Sequence, residues 1–230
     1  MGACIGAIMI SLKLIIYLSI GTIAMLIPVV FQSLWYKIKL WKSIIATILL
    51  TITGTIGTYL MFFIENHWIG GTSFFGAVFF VPIPFILYAI LLKIKYKELV
   101  DICAPAECIM LVIMKIQCLI SGCCEGMVIS VNSNNSTIRF PSQIVEMINA
   151  FVLCIVLLLL SYKKKFRGYI YPMYLILYGM SRFVLNCFRE DFYTTDMFIP
   201  YGNLWSIISV VIGVTWFICK KQGIFNFNKK

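Results

Sequence analysis

The sequence predicts an all-α, polytopic integral membrane protein of about seven transmembrane helices, with its N-terminus outside and its C-terminus in the cytoplasm. Three observations carry that prediction: an excess of apolar residues, seven apolar runs of spanning length, and basic residues gathered in every second loop. Hydrophobic residues make up 61% of the 230 and charged residues only 12%, with a mean hydropathy of +0.97. Water-soluble domains sit near ~45–50% apolar and ~25% charged. A folded chain of this size cannot hide so much apolar surface from water, so lipid must cover the remainder.

The apolar runs cover roughly residues 4–30, 44–64, 74–92, 102–120, 144–160, 169–188 and 204–219. A helix needs about 20 residues to cross the hydrocarbon core, and the last run is a little short. Lys37, Lys39 and Lys42 follow the first run, and Lys93, Lys95 and Lys97 follow the third. Lys163, Lys164, Lys165 and Arg167 follow the fifth, and Lys220, Lys221, Lys229 and Lys230 follow the seventh. The intervening loops hold only Arg139 and Arg189. Basic loops stay in the cytoplasm, so the alternation supports both the odd helix count and the orientation. It also explains the net charge of +10 as topology and attraction to anionic lipid, not as a nucleic-acid footprint. The first run has no basic segment before it and is too long for a cleavable signal, so a single domain over residues 1–230 is expected.

Charges inside apolar runs carry the functional signal, because each costs about 2.5–3.5 kcal/mol on insertion scales. Glu107, Lys115, Glu146 and Arg182 are so placed, whereas Lys13 lies near enough to an interface to snorkel. Arg182 offers a permanent charge and a fork suited to phosphate or carboxylate, and an ion pair with Glu107 or Glu146 is the structural alternative. Arg189, Arg139 and Lys115 fall near the same outer surface, where lipid phosphates lie. A phospholipid headgroup is therefore the expected anionic ligand. Gly70, Gly71, Gly76, Gly122 and Gly126 fit either a re-entrant turn beside a ligand or close helix packing. Of the nine cysteines, Cys4, Cys103, Cys154, Cys187 and Cys219 lie in or beside apolar runs and read as small packing residues. Cys118, Cys123 and Cys124 sit within seven residues at the outer face, where thiol exchange, a soft metal or plain burial are open, burial being the simplest.

Four stretches together are similar to the prolipoprotein diacylglyceryl transferases of bacterial inner membranes. They are the Gly70-Gly71-Thr72-Ser73-Phe74-Phe75-Gly76 segment, Lys115 through Gly126, Arg139-Phe140-Pro141-Ser142-Gln143-Ile144-Val145-Glu146, and Tyr178 through Asp191, with Gly202-Asn203 following. The resemblance implies seven spans in a bacterial plasma membrane. It also implies transfer of a diacylglyceryl group from phosphatidylglycerol to the lipobox cysteine thiol of a prolipoprotein signal peptide, with no metal or soluble cofactor. Carried over by position, it assigns catalysis to Arg182, Glu146 and Tyr178. It assigns the lipid phosphate to Lys115, Arg139, Arg189, Gln143, Gly122 and Gly126.

The sequence departs from the family pattern where the family carries a histidine, here Phe75, and where it carries a second glycine, here Ala77. Lys115 replaces an arginine, Cys118 an asparagine, Cys123 a glutamate and Asn186 another glutamate. His67 is the single histidine, in the outer loop eight residues before Phe75. Two other readings stand beside the transferase. One is a divergent paralogue that binds a phospholipid or lipid-linked ligand without this activity and uses its Cys-Cys turn for thiol chemistry. The other is a transporter, against which the charges cluster at one leaflet and no repeat pairs the halves.

Overall fold

The computed structural model describes residues 2–67, 71–131, 137–190 and 199–222, with side chains described from residue 14 onward and that of Val131 left out. Gly70, the polar 132–136 patch, Asp191, Lys229, Lys230 and the side chains of Cys4 and Lys13 lie outside the described part.

Helices form at all seven apolar runs, and most extend past the predicted ends. They are α1 (Gly2–Tyr36), α2 (Leu40–Asn66), a broken pair α3 (Phe75–Phe80) and α4 (Pro82–Leu92), α5 (Tyr96–Ser121), α6 (Ser142–Tyr162), α7 (Ile170–Asn186) and α8 (Tyr201–Lys221). The break between α3 and α4 falls at Pro82, whose missing N–H and fixed φ suit the first turn of a new helix. Five stretches are long and apolar enough to cross a membrane: Leu14–Tyr36, Leu40–Asn66, Phe75–Leu92, Ser142–Tyr162 and Tyr201–Lys221. Of the remaining two, α5 carries several charges and α7 has only 17 residues.

The chain is not purely helical. Between α5 and α6 an antiparallel hairpin pairs β1 (Val128–Val131) with β2 (Thr137–Arg139), with an irregularity between Val128 and Ser130. Strands this short show no measurable alternation in the sequence. The hairpin root is stitched to the end of α7: Met127 N–H donates to Phe188 O at 2.9 Å, and Gly126 bridges Arg189.

Outward faces are apolar throughout, with Ile23, Ile27, Ile56, Ile90, Leu91 and Leu159 all exposed. Such faces belong against lipid tails, not water. Inside, α5 is the central post, packing on α1, α4, α6 and α7. Where helices cross closely, glycine is required. A Cβ on Gly76 would lie 1.9 Å from Gly57 O of α2, and one on Gly179 would lie 2.7 Å from Ser206 O of α8. At the far end from the hairpin, Asp101 collects the N–H groups of Gly168 and Tyr171 and the Tyr36 hydroxyl. That carboxylate ties α1 and the α6–α7 connection to α5, and Gln32 adds a 2.7 Å bond to Ser161 Oγ.

Candidate active site

Three helices and the turn after α7 bring one carboxylate and three cations together. Glu146, one turn into α6, is almost fully buried. Its Oε2 pairs with Lys115 Nζ of α5 at 2.5 Å and with Arg182 Nη1 of α7, and its Oε1 faces Arg189 Nη1 at 3.4 Å. The structural alternative for Arg182 is thus realised through Glu146, not Glu107. Glu107 lies deeper, within 3.5 Å of the Tyr171 hydroxyl. Burying a lone charge is costly, so the cluster holds only because each member has a partner.

Beside the cluster lies a cavity of about 520 Å³. Lys115, Arg182, Arg189, Tyr178, Asn186, Cys118 and Cys124 form its polar wall, and Leu18, Met25, Leu50 and Met110 are among its apolar walls. A cavity lined by both cations and hydrocarbon side chains is suited to an amphiphile with an anionic head. Glu65, not singled out from the sequence, also lines the cavity and accepts the Ser73 hydroxyl at 2.7 Å. Its only signal was an acid at the end of the second apolar run.

The other candidate residues separate into different roles. Tyr178 lines the cavity, with its ring 5.7 Å from Phe74 and 5.5 Å from Phe75, and its hydroxyl has no hydrogen-bond partner among the described residues. Arg139 stands apart from the Glu146 cluster. It pairs with Glu125 at 2.9 Å and Glu190 at 2.6 Å, both across the hairpin root, and does not line the cavity. Gln143 donates to Cys123 O at 2.8 Å and Ser142 to Cys124 O at 2.7 Å, so this motif grips the backbone of the Cys-Cys turn. Gly122 ends α5 at φ 63, in the left-handed region that glycine tolerates best. At Gly126 a Cβ would fall 2.2 Å from Phe140 O, so this residue serves the hairpin.

Phe75, where the sequence resemblance implies a histidine, is buried against Tyr178 and Phe79 and lines the cavity. Its ring can move no proton. His67 is the exposed left-handed residue that caps α2 and does not line the cavity. In the turn after α5, Cys124 Sγ lies 3.9 Å from Cys118 Sγ. That contact, then the charges of Lys115 and Arg189, pulls the Cys124 thiol below its usual range against the opposing effect of burial.

Apolar helices of spanning length packed around a cavity with buried cations in its lining define a multi-pass membrane protein. The profile of the prolipoprotein diacylglyceryl transferases matches residues 6–219, and the chain belongs to that family. It is 28% identical over 173 residues to the phosphatidylglycerol–prolipoprotein diacylglyceryl transferase of Ehrlichia ruminantium (strain Welgevonden), covering 68% of this chain and 67% of that protein. The same-named protein of Acidiphilium cryptum is 29% identical over 181 residues, covering 68% of this chain and 64% of that protein. That of Clostridium tetani is 26% identical over 154 residues, covering 63% and 62%. The matched stretches thus span about two thirds of these relatives' lengths.

Proposed function

We propose that this chain transfers a diacylglyceryl group from phosphatidylglycerol to the cysteine thiol of a prolipoprotein signal peptide, in a bacterial plasma membrane. The observation that carries the reading is the sharing of one buried carboxylate oxygen by two cations, Lys115 and Arg182, which both line the cavity. One carboxylate cannot neutralise both, so positive charge is left for a lipid phosphate. The N-terminus lies outside and the C-terminus in the cytoplasm, which follows from the alternating lysines and sets the Glu146 cluster toward the outer leaflet.

In this reading the acceptor sulfur forms a bond to the terminal glyceryl carbon and the carbon–oxygen bond to phosphate breaks. Glycerol phosphate leaves with the electron pair. Lys115 and Arg182 stabilise the charge that grows on the departing phosphate, an effect placed donors supply without reorganisation. Glu146 orients these cations, since its Oε2 is engaged by both of them and its Oε1 already faces Arg189. Arg139 holds the hairpin root, through which a signal peptide would approach.

The test is complementation of cells depleted of their own transferase, following prolipoprotein mobility and growth. Rescue that is lost in Arg182→Ala supports the reading. A correctly inserted chain that gives no rescue sinks it. The outcome then favours a paralogue that binds the lipid without this chemistry, the reading that Phe75 in the cavity wall supports.

A further inference from the structure

Cys118, Cys123 and Cys124 have no part in the steps above, yet the fold draws them together. Cys118 hangs from the last turn of α5, Gly122 stops that helix, and Cys124 itself takes a left-handed φ of 59. The chain doubles back, and the three Sγ atoms all lie within 4.8 Å of one another. Two thiolates on a tetrahedral zinc, with bonds of ~2.3 Å, stand about 3.8 Å apart. Cys118 and Cys124 are already at 3.9 Å. The turn is held from outside by Ser142 and Gln143, which fix the carbonyls of Cys124 and Cys123. Cys118 and Cys124 line the lipid cavity, and Cys123 is exposed, which gives an ion a way in.

Simple packing does not account for this arrangement. Cys103, Cys108 and Cys154 are buried and Cys187 and Cys219 half-buried, whereas Cys123 stands exposed within reach of two other thiols. Three soft ligands beside a cavity leave one position of a tetrahedron open, which is the pattern of a reactive zinc site and not of a closed structural one.

We propose that Cys118, Cys123 and Cys124 bind a soft divalent metal ion of the zinc class, whose fourth position receives the acceptor cysteine thiol. This deepens the transferase reading and rests on it. A thiol that coordinates such an ion loses its proton outright. That supplies the activation that Phe75 cannot. The proton passes to solvent, and a sulfur lone pair forms the S–C bond to the glyceryl carbon. The C–O bond breaks, and its electron pair leaves with glycerol phosphate against Lys115 and Arg182. Nothing is oxidised or reduced, and the ion keeps its charge.

The full chain, purified in detergent, is analysed for metal content and titrated with cobalt(II). The expected result is about one ion per chain and a thiolate-to-cobalt charge-transfer band. Both are lost in Cys118→Ser and in Cys124→Ser and kept in Arg182→Ala, which removes transfer alone. A wild-type chain that binds neither zinc nor cobalt overturns the site, whether its three thiols are free by titration or two are joined as a disulfide. Transfer that proceeds equally in the triple Cys→Ser variant overturns the metal's role and leaves the transferase reading standing. Zinc retained by a wild-type chain that transfers nothing overturns the transferase reading and the thiol-activating role with it.

Discussion

Lys115 and Glu146 meet in a 2.5 Å ion pair that joins α5 to α6 with both side chains buried. Removing the carboxylate strands Lys115 and Arg182 without their shared partner. Breaking a buried pair by deleting one member costs about 3–5 kcal/mol. Glu146→Ala is therefore expected to lower the unfolding temperature in detergent sharply. Glu146→Gln, which keeps an acceptor oxygen, falls between it and the wild type. Equal melting of all three would show that the cluster contributes nothing to the fold.

Arg182 is expected to matter through its shape as well as its charge. Losing one donor aimed at a developing anion costs about 10²–10³ in rate. Arg182→Ala should reduce diacylglyceryl transfer by that much at unchanged abundance in the membrane. Arg182→Lys keeps the ion pair to Glu146 but loses the planar fork, so it should melt like the wild type and still transfer at least tenfold more slowly, about 1.4 kcal/mol of barrier. Wild-type rates in Arg182→Lys would leave a point charge as the only requirement.

Much of this architecture is legible in the sequence, for a physical reason. Lipid tolerates few charges, so helices read as apolar runs. Lys115, Glu146 and Arg182 stand out because a charge within an apolar run is expensive. What the residues alone do not convey is which partner each one finds. Arg139 is plainly a cation just before an apolar run, but its acids, Glu125 and Glu190, lie on either side of it in the chain. The resemblance assigns Gln143 to the lipid phosphate, and it is not legible from the residues that its amide donates to the Cys123 carbonyl. The hairpin is missed because its strands are three and four residues long. Glu65 is missed because an acid at a helix end resembles ordinary solvation.

Gly76 is predicted to be intolerant for a packing reason separable from catalysis. Its Cβ would lie 1.9 Å from Gly57 O, and that oxygen belongs to the α2 backbone, which cannot swing aside as a side chain would. Overpacking of this kind costs about 1–3 kcal/mol or more. Gly76→Ala should separate α2 from α3 and lower both yield and melting temperature. Gly54→Ala is the control, since its Cβ would rest at an ordinary 3.6 Å from Ala77 Cβ. It should stay within about 0.5 kcal/mol of the wild type. Similar melting of the two variants would mean the helices do not cross as closely as described.

The last prediction concerns the grip of α6 on the Cys-Cys turn. Ser142 and Gln143 donate to the carbonyls of Cys124 and Cys123, at 2.7 and 2.8 Å. Each bond contributes about 0.5–1.5 kcal/mol net, and a buried carbonyl left unpaired costs more. Without them the turn opens, and Cys124 is released from the cavity wall. Gln143→Ala and Ser142→Ala should each raise the rate at which a bulky maleimide labels Cys124 in purified protein, by about fivefold to tenfold if one such bond is lost from the closed state. Because Cys123 is already exposed, its labelling should change little, and it serves as the internal reference. The same variants leave Lys115, Glu146 and Arg182 in place, so loss of transfer in step with Cys124 labelling would tie activity to the geometry of the turn. Faster labelling with unaltered transfer would instead separate the turn from the reaction.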